Sequence, residues 1–164
     1  MEDREGLKAA YALDSGVYAA EDTLYVAGTE SLRDAWDDLK IPFGKASRSQ
    51  RYSNASRMLQ AMPQIKRGVG HSLGGAVALE LQKKNPGLKS VTYGAPVVSA
   101  ASGGERYRQL GDPVAFFDFG AKTSLPGGLN PHSYAAQAAG RHEFAKGTTM
   151  DGYSSGDKSL SLYR

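Results

Sequence analysis

The sequence predicts an α/β fold in which a mainly parallel central sheet carries helices on both faces. Segments rich in β-branched and aromatic residues alternate with helical patterns along the 164 residues. The strand segments, such as residues 23–27, are continuous apolar runs, which is typical of strands buried on both faces. A Gly-x-Ser-x-Gly pattern at residues 70–74 lies between a strand pattern and an apolar helix pattern. Because parallel strands end at one edge of a sheet, we expect function at that edge.

The first half of the chain supplies two helical patterns, one strand and a third helix. Leu7, Ala10 and Tyr11 form an apolar stripe that predicts a helix, and the Thr-Leu-Tyr-Val-Ala run at 23–27 predicts a buried strand. Ser31 is a plausible N-cap for the second helix. The predicted elements, in order, are helix 5–13, a turn at 21–22, strand 23–27, helix 31–39, a polar basic loop at 45–53 and helix 54–62.

The second half begins with the strand and helix that flank the Gly-x-Ser-x-Gly pattern, and Asn-Pro-Gly at 85–87 closes that helix. Later elements are predicted from apolar runs and from Gly- and Pro-rich breaks. They are strand 88–93, a short helix at 105–110, strand 114–119, a loop at 120–131 and a short helix from His132 to Ala139.

Length and composition limit the classes of protein. The 164 residues are interpreted as a single domain, 1–164, of which residues 141–164 form a polar C-terminal extension. The absence of cysteine excludes disulfides, thiolate metal sites and a cysteine nucleophile. The charged N-terminus has no apolar segment behind it, and no run approaches the roughly 18 apolar residues of a membrane span. We therefore expect no secretory signal and no transmembrane segment, which favours the cytoplasm or a virion.

The glycine–serine pattern predicts a nucleophile elbow, a strained strand-to-helix turn that exposes a serine hydroxyl. Strand and helix cross so closely at such a turn that Cβ atoms at positions 70 and 74 would collide, and Gly70 and Gly74 remove them. The helix N-terminus behind Ser72 favours a developing negative charge. Two alternatives are a Gly-rich turn with a serine N-cap and a phosphate-binding loop. A dinucleotide loop would need glycine where Leu73 stands, and the Gly-Lys-Ser/Thr of a P-loop does not occur.

A serine nucleophile needs a histidine base and an acid that orients the base. His132 is the favoured base because it follows the last clear strand, with His142 as the alternative. Asp112 lies at a strand boundary in a Gly-Asp-Pro turn and is the favoured acid, with Asp118 as the alternative. His71 precedes the nucleophile, so its side chain is expected to pack or hydrogen-bond behind the turn.

The oxyanion hole of such a site needs two donors. One is the backbone N–H of Leu73, the residue after the nucleophile. The second is expected from an early strand end, where Thr29 follows Gly28 and offers both its N–H and its hydroxyl. An ordinary helix N-cap is the alternative role of Thr29.

These residues resemble the class 3 lipase family of α/β-hydrolases. The resemblance covers about two thirds of the chain, from residue 23 to residue 132. The matching segments are Leu-Tyr-Val-Ala-Gly-Thr at 24–29, Asp-Ala-Trp-Asp-Asp-Leu at 34–39, Gly-His-Ser-Leu-Gly-Gly-Ala at 70–76, Thr-Tyr-Gly-Ala-Pro at 92–96, Gly-Asp-Pro-Val at 111–114, and His132. The resemblance implies a minimal α/β-hydrolase fold, a Ser72–Asp112–His132 triad and oxyanion donors at Thr29 and Leu73. It also implies hydrolysis of acylglycerol or phospholipid esters, with no metal and no organic cofactor.

The chain departs from this family in three ways. Family members usually carry arginine before the Gly-Thr pair and after Gly-Ala-Pro, where this chain has Ala27 and Val97. The segment between Thr29 and the elbow leaves little room for a helical lid, so the chain resembles compact viral and intracellular versions. We therefore expect a Ser72 hydroxyl that is open to solvent or shielded only by the loop at 45–53. The alternative functions are a thioesterase or acyltransferase on the same triad, and a non-catalytic scaffold that binds lipid or protein.

Charge is distributed unevenly along the chain. Residues 1–39 hold ten acids and three cations, a balance of −7, whereas residues 40–67 hold seven cations and no acid. The simpler interpretation is two solvated faces that partly neutralise each other. The alternative is that the basic segment faces anionic lipid head groups, and no nucleic-acid partner is predicted. The cations assigned to that membrane surface are Lys45, Arg48, Arg51 and Arg57.

Overall fold

The computed structural model describes residues 1–28, 49–96, 103–109 and 122–124. The described residues form three helices and six strands. The helices are α1 (Asp3–Tyr11), α2 (Gln50–Ala61) and α3 (Leu73–Lys84). The strands are β1 (Val17–Ala20), β2 (Thr23–Val26), β3 (Arg67–His71), β4 (Lys89–Tyr93), β5 (Glu105–Gln109) and β6 (Lys122–Ser124).

The six strands form one sheet whose spatial order follows the chain, β1-β2-β3-β4-β5-β6. A tight hairpin joins β1 to β2 antiparallel, with Glu21 at φ 55° in its turn, and the other neighbouring pairs are parallel. In the parallel part, Val26 lies opposite Gly70, and Gly70 lies opposite Thr92. The prediction of a mixed α/β protein with a mainly parallel sheet is thus confirmed, and the carboxyl ends of β2, β3 and β4 meet at one edge.

Helices cover both faces of this sheet. On one face, Leu7 and Ala10 of α1 pack on Tyr25, Val69 and further apolar residues of the strands. On the other face, the strands pack against α2 and α3 through a second core of buried aliphatic residues. Its members are Val17, Leu24, Val26, Ala55, Ile65, Val77, Leu81 and Leu88. A fully buried Leu or Val side chain contributes about 1.5–3 kcal/mol, so the two cores together hold the layers in place.

A charged network ties α1 to the sheet. The Asp3 carboxylate accepts hydrogen bonds from Arg67 at 2.6 and 2.7 Å and from the Tyr93 hydroxyl at 2.6 Å. Burial, followed by the nearby Asp3 carboxylate, raises the pKa of the neighbouring Tyr25 phenol above its ordinary value, although Arg67 acts in the opposite direction. The start of α1 is therefore fixed to β3 by a bidentate ion pair, a geometry that specifies orientation as well as attraction, and to β4 by the Tyr93 hydrogen bond.

Several predicted elements are confirmed. Helix α1, strand β2, the β3–α3 pair and strand β4 occur where the patterns place them, with ends shifted by a few residues. Helix α3 ends at Lys84, directly before the Asn-Pro-Gly segment. The predicted helices 31–39 and 132–139, strand 114–119 and extension 141–164 lie outside the described residues. Within the described ranges, no helix has the length and the apolar character needed to cross a bilayer.

Four details of the prediction are wrong. Residues 50–53 are not loop but the first turn of α2, because Ser49 caps the helix and the partly buried Tyr52 packs on the second core. Strand β1 is not predicted, since only Val17 of its four residues is buried. Residues 105–109 form a strand instead of a helix, and residues 122–124 form a strand inside a predicted loop. Both are short strands whose pairing with β4 and with each other overrides a weak local preference.

Candidate active site

Ser72 occupies a strained position at the junction of β3 and α3. Its backbone has φ 53° and ψ −127°, a combination that L-residues rarely adopt. Ser72 stands at the N-cap of α3, yet its side chain makes no capping hydrogen bond. An ordinary serine N-cap has an extended backbone and accepts an N–H of the first helical turn. Ser72 therefore holds the N-cap position without the conformation or the hydrogen bond of an ordinary serine cap, which disfavours the interpretation of residues 70–74 as a simple capping turn.

The surrounding backbone holds this conformation. The Ser72 N–H donates to the Tyr93 carbonyl at 3.0 Å, and the Ser72 carbonyl accepts from the Gly75 N–H at 2.9 Å. A strained backbone of this kind costs about 1–3 kcal/mol and persists only where its neighbours over-determine it. Ser72 is 2% exposed, so the expectation of a solvent-open hydroxyl is wrong. Shielding by the predicted loop at 45–53 stays a prediction, because residues 45–48 lie outside the described part of the chain.

Two glycines permit the close crossing of strand and helix. A Cβ at Gly70 would lie 2.2 Å from the Gly74 carbonyl oxygen, and a Cβ at Gly74 would lie 2.2 Å from the Val26 carbonyl oxygen. Both contacts are with backbone atoms, which cannot rotate away as a side chain can. The first turn of α3 therefore lies directly against the carboxyl ends of β2 and β3.

The end of β2 also lies against the serine. A Cβ at Gly28 would be 2.7 Å from the Ser72 Cβ and 2.8 Å from the His71 carbonyl oxygen. Thr29, the predicted second oxyanion residue, follows Gly28 in the chain but lies outside the described residues. The described structure thus brings together Ser72, Leu73 and the residue before Thr29.

His71 lies behind the turn, on the α1 face. It is 4% exposed, and its Nδ1 is 2.6 Å from the Tyr11 hydroxyl. The same hydroxyl accepts the Gly28 N–H at 3.0 Å, so its own proton is available for an unprotonated His71 Nδ1. The expectation that His71 hydrogen-bonds behind the turn is confirmed. Tyr11 is a site residue that the sequence analysis missed, because its position in the stripe of α1 indicates only core packing.

Arg51 is the second residue whose role near the site was missed. Its Nη1 donates to the Ala27 carbonyl at 2.7 Å, and a Cβ at Gly16 would lie 2.8 Å from its Nε. The side chain is half-buried and is bound to the backbone that leads into the site. Arg57, by contrast, is exposed and donates to Ser53 Oγ within its own helix.

The remaining predicted residues lie outside the described ranges. They are Thr29, Lys45, Arg48, Asp112, Asp118, His132 and His142. Their assignments as acid, base, oxyanion donor or membrane contact stay predictions. Among the residues that the structure does describe, no group of three or more His, Asp or Glu side chains is placed to hold a metal ion.

The chain was compared with models of known families, with curated proteins and with solved structures, and none of them matches it. The geometry of the described residues and the chemistry of the sequence therefore carry the functional conclusion.

Proposed function

We propose that the protein is a serine hydrolase that cleaves carboxylic esters of lipids through an acyl-enzyme. The observation that carries the proposal is the strained conformation of Ser72, whose hydroxyl is not used to cap the helix that it precedes. Strain of this kind clusters at active sites, where it presents a group for reaction. The glycine packing around Ser72 maintains the strain at positions where any side chain would disrupt it.

The proposed reaction proceeds in two steps. His132 takes the Ser72 proton as Oγ attacks the ester carbonyl, while Asp112 holds the His132 tautomer and stabilises its cation. The Leu73 N–H and Thr29 bind the oxyanion of the tetrahedral intermediate. The alcohol leaves with a proton from His132, and water then repeats the sequence on the acyl-enzyme. The N-terminus of α3 supports the first step because its N–H groups and dipole favour negative charge near Ser72.

A fluorophosphonate probe tests this proposal directly, since it labels only an activated serine. We expect labelling of the intact protein, with the adduct found on Ser72 by peptide mass spectrometry. Ser72→Ala should abolish labelling, whereas Ser53→Ala, at a half-buried position of α2, should leave it unchanged. A wild-type protein that is folded but unlabelled would favour the alternative of a non-catalytic lipid- or protein-binding scaffold.

A substrate panel separates the hydrolase from a thioesterase or an acyltransferase on the same triad. The panel consists of a short-chain ester, a matched acyl thioester, and the ester with an added alcohol acceptor. We expect the largest kcat/KM for the ester and release of free acid. A larger kcat/KM for the thioester, or transfer to the alcohol in place of hydrolysis, would contradict the ester-hydrolase assignment and preserve the acyl-enzyme.

We also propose that the basic segment brings the site to an anionic lipid surface. Each cation near such a surface contributes about 1 kcal/mol, and the attraction fades within a Debye length of roughly 8 Å at physiological salt. Activity on anionic vesicles should exceed activity on neutral vesicles and fall with salt, while hydrolysis of a soluble ester should be indifferent to salt.

Arg51 is unsuitable for testing this surface because it binds the Ala27 carbonyl. Arg57→Glu is the better variant, since Arg57 is exposed and its described hydrogen bond is to Ser53 in the same helix. Its matched control is Lys83→Glu on α3. Lys83 is also exposed, and this substitution changes the net charge by the same amount. A loss on anionic vesicles for Arg57→Glu alone supports the membrane role, and equal rates for both variants would exclude this contact.

A further inference from the structure

We propose that Tyr11 and Arg51 are positioning residues that clamp the peptide group between Ala27 and Gly28 and thereby place the oxyanion donor beside the nucleophile. The inference rests on the proposed hydrolase function and deepens it. Its elements are a single peptide group, two side chains from different helices, and the short chain connection from Gly28 to Thr29. We name the arrangement of Tyr11, Arg51 and the 27–28 peptide the peptide clamp.

The two side chains hold opposite ends of the same peptide plane. The carbonyl of this peptide belongs to Ala27 and accepts from Arg51 Nη1 at 2.7 Å. Its N–H belongs to Gly28 and donates to the Tyr11 hydroxyl at 3.0 Å. Because a peptide group is planar and rigid, bonds at both of its ends fix the orientation of the whole plane. Tyr11 comes from α1 and Arg51 from α2, and these helices pack on opposite faces of the sheet.

The clamp begins where the sheet ladder stops. Strand β2 ends at Val26, which lies opposite Gly70, and the Ala27 N–H is bonded to the Gly16 carbonyl at 2.8 Å. The buried polar groups of the next peptide still need partners, and side chains supply them. Only the two backbone dihedrals between the 27–28 plane and the next peptide plane separate the clamp from the Thr29 N–H. A rotation of the clamped plane would therefore move the predicted oxyanion donor.

Tyr11 also bonds to the elbow itself. Its hydroxyl is 2.6 Å from His71 Nδ1, and His71 directly precedes Ser72. One oxygen atom thus joins the residue before the nucleophile to the residue before the oxyanion donor. Tyr11 therefore ties the position of Gly28 to that of the elbow, and Tyr11 is itself held by the packing of α1 on the first core. A misplacement of about 1 Å in such a site can cost roughly 100-fold in rate.

Kinetics of hydroxyl deletions test the Tyr11 side of the clamp. Tyr11→Phe should lower kcat on a soluble ester by about 10- to 100-fold with KM changed by less than about twofold, because the lost interaction acts in the transition state. The matched control is Tyr18→Phe, since Tyr18 packs on the same core and the described residues offer its hydroxyl no hydrogen-bond partner. Tyr18→Phe should keep wild-type kcat.

Conservative replacement tests the Arg51 side. Arg51→Gln should lower kcat by about tenfold, and Arg51→Lys, which keeps a donor for the Ala27 carbonyl, should restore most of the loss. Lys83→Gln, which removes an exposed cation of α3 outside the proposed site, should leave kcat on the soluble ester unchanged. Equal effects of the Lys and Gln replacements would contradict a hydrogen-bonding role for Arg51.

Amide exchange provides a readout that does not depend on activity. The Gly28 amide should exchange about 10-fold or more faster in Tyr11→Phe than in the wild type, whereas Tyr18→Phe should leave it unchanged. Unchanged exchange would overturn the clamp itself. Faster exchange with wild-type kcat would overturn its positioning role. A wild-type protein without Ser72-dependent ester hydrolysis would overturn the proposed function, and the positioning role with it, even if the exchange result stands.

Discussion

Ser49 and Ser72 stand at the same position relative to a helix, but they have opposite conformations. Ser49 precedes α2 with φ −73° and ψ 151°, and its hydroxyl accepts the Tyr52 N–H at 3.1 Å. Ser72 precedes α3 with φ 53° and ψ −127° and makes no capping bond. The first serine is in the extended conformation that a helix N-cap prefers. The second is in a conformation that helix initiation does not require and that does not stabilise the start of a helix.

The difference shows where the strain at Ser72 originates. If helix initiation required it, Ser49 would share it. Ser72 instead connects a buried strand to a helix that crosses directly over that strand, so the turn is forced by the packing of Gly70 against Gly74. Backbone strain that helix initiation does not require is typical of functional sites, so the strained Ser72 supports a functional hypothesis.

The largest expected effect separates the two serines by activity. Ser72→Ala should lower ester hydrolysis by roughly 10⁴-fold or more with little change in the free energy of unfolding, because it removes a nucleophile but no cap. Ser49→Ala should leave kcat unchanged and lower the free energy of unfolding by about 1 kcal/mol, because it removes a cap. Kinetics on a soluble ester and urea unfolding of both variants measure the two effects. A Ser72→Ala protein with most of its activity would refute the hydrolase assignment.

The next effect concerns the cause of the strain. Gly70→Ala should cost at least about 4 kcal/mol or prevent folding, since its Cβ would lie 2.2 Å from a backbone oxygen. Gly68→Ala is the matched control on the same strand and the same face, where a Cβ would lie 3.6 Å from Leu88 Cδ2 in ordinary contact. We expect its stability to lie within about 0.5 kcal/mol of the wild type. Similar unfolding midpoints for the two variants would show that the crossing at Gly70 can relax.

The smallest expected effect is a change in the free energy of unfolding that has opposite signs at the two serines. Ser72→Gly should raise the free energy of unfolding by about 1 kcal/mol, because glycine relieves the strained φ and this gain exceeds its added entropy in the unfolded chain. Ser49→Gly should lower it by a few tenths of a kcal/mol, because the extended cap needs no such relief. Urea unfolding with both variants in parallel tests the pair. A loss of stability in Ser72→Gly would mean that the serine is not strained.

The parts of the fold that the sequence predicts correctly are those governed by local sterics. The spacing of Gly70, Ser72 and Gly74, together with the strand pattern before it and the apolar helix pattern after it, predicts a strand, a turn and a helix in that order, and these are observed. Strand β4 is equally clear because its Val, Thr and Tyr residues favour a strand and are buried between two parallel neighbours. The helix predicted at 105–110 is wrong because the charged and polar residues of β5 favour a helix only locally, while the β4 edge supplies strand pairing.

The sequence by itself determined the elbow, because glycine at positions 70 and 74 leaves room for the helix to cross the strand, and Gly70 acts against Gly74 only four residues away. Only the tertiary structure decided how the neighbouring peptide is held. Tyr11 is 17 residues from Gly28, and Arg51 is 24 residues from Ala27, so no local pattern connects either pair. In the sequence, Tyr11 belongs to an apolar stripe and Arg51 to a basic segment. Their hydrogen bonds exist because the packing of α1 and α2 on opposite faces of the sheet brings both helices to the end of β2.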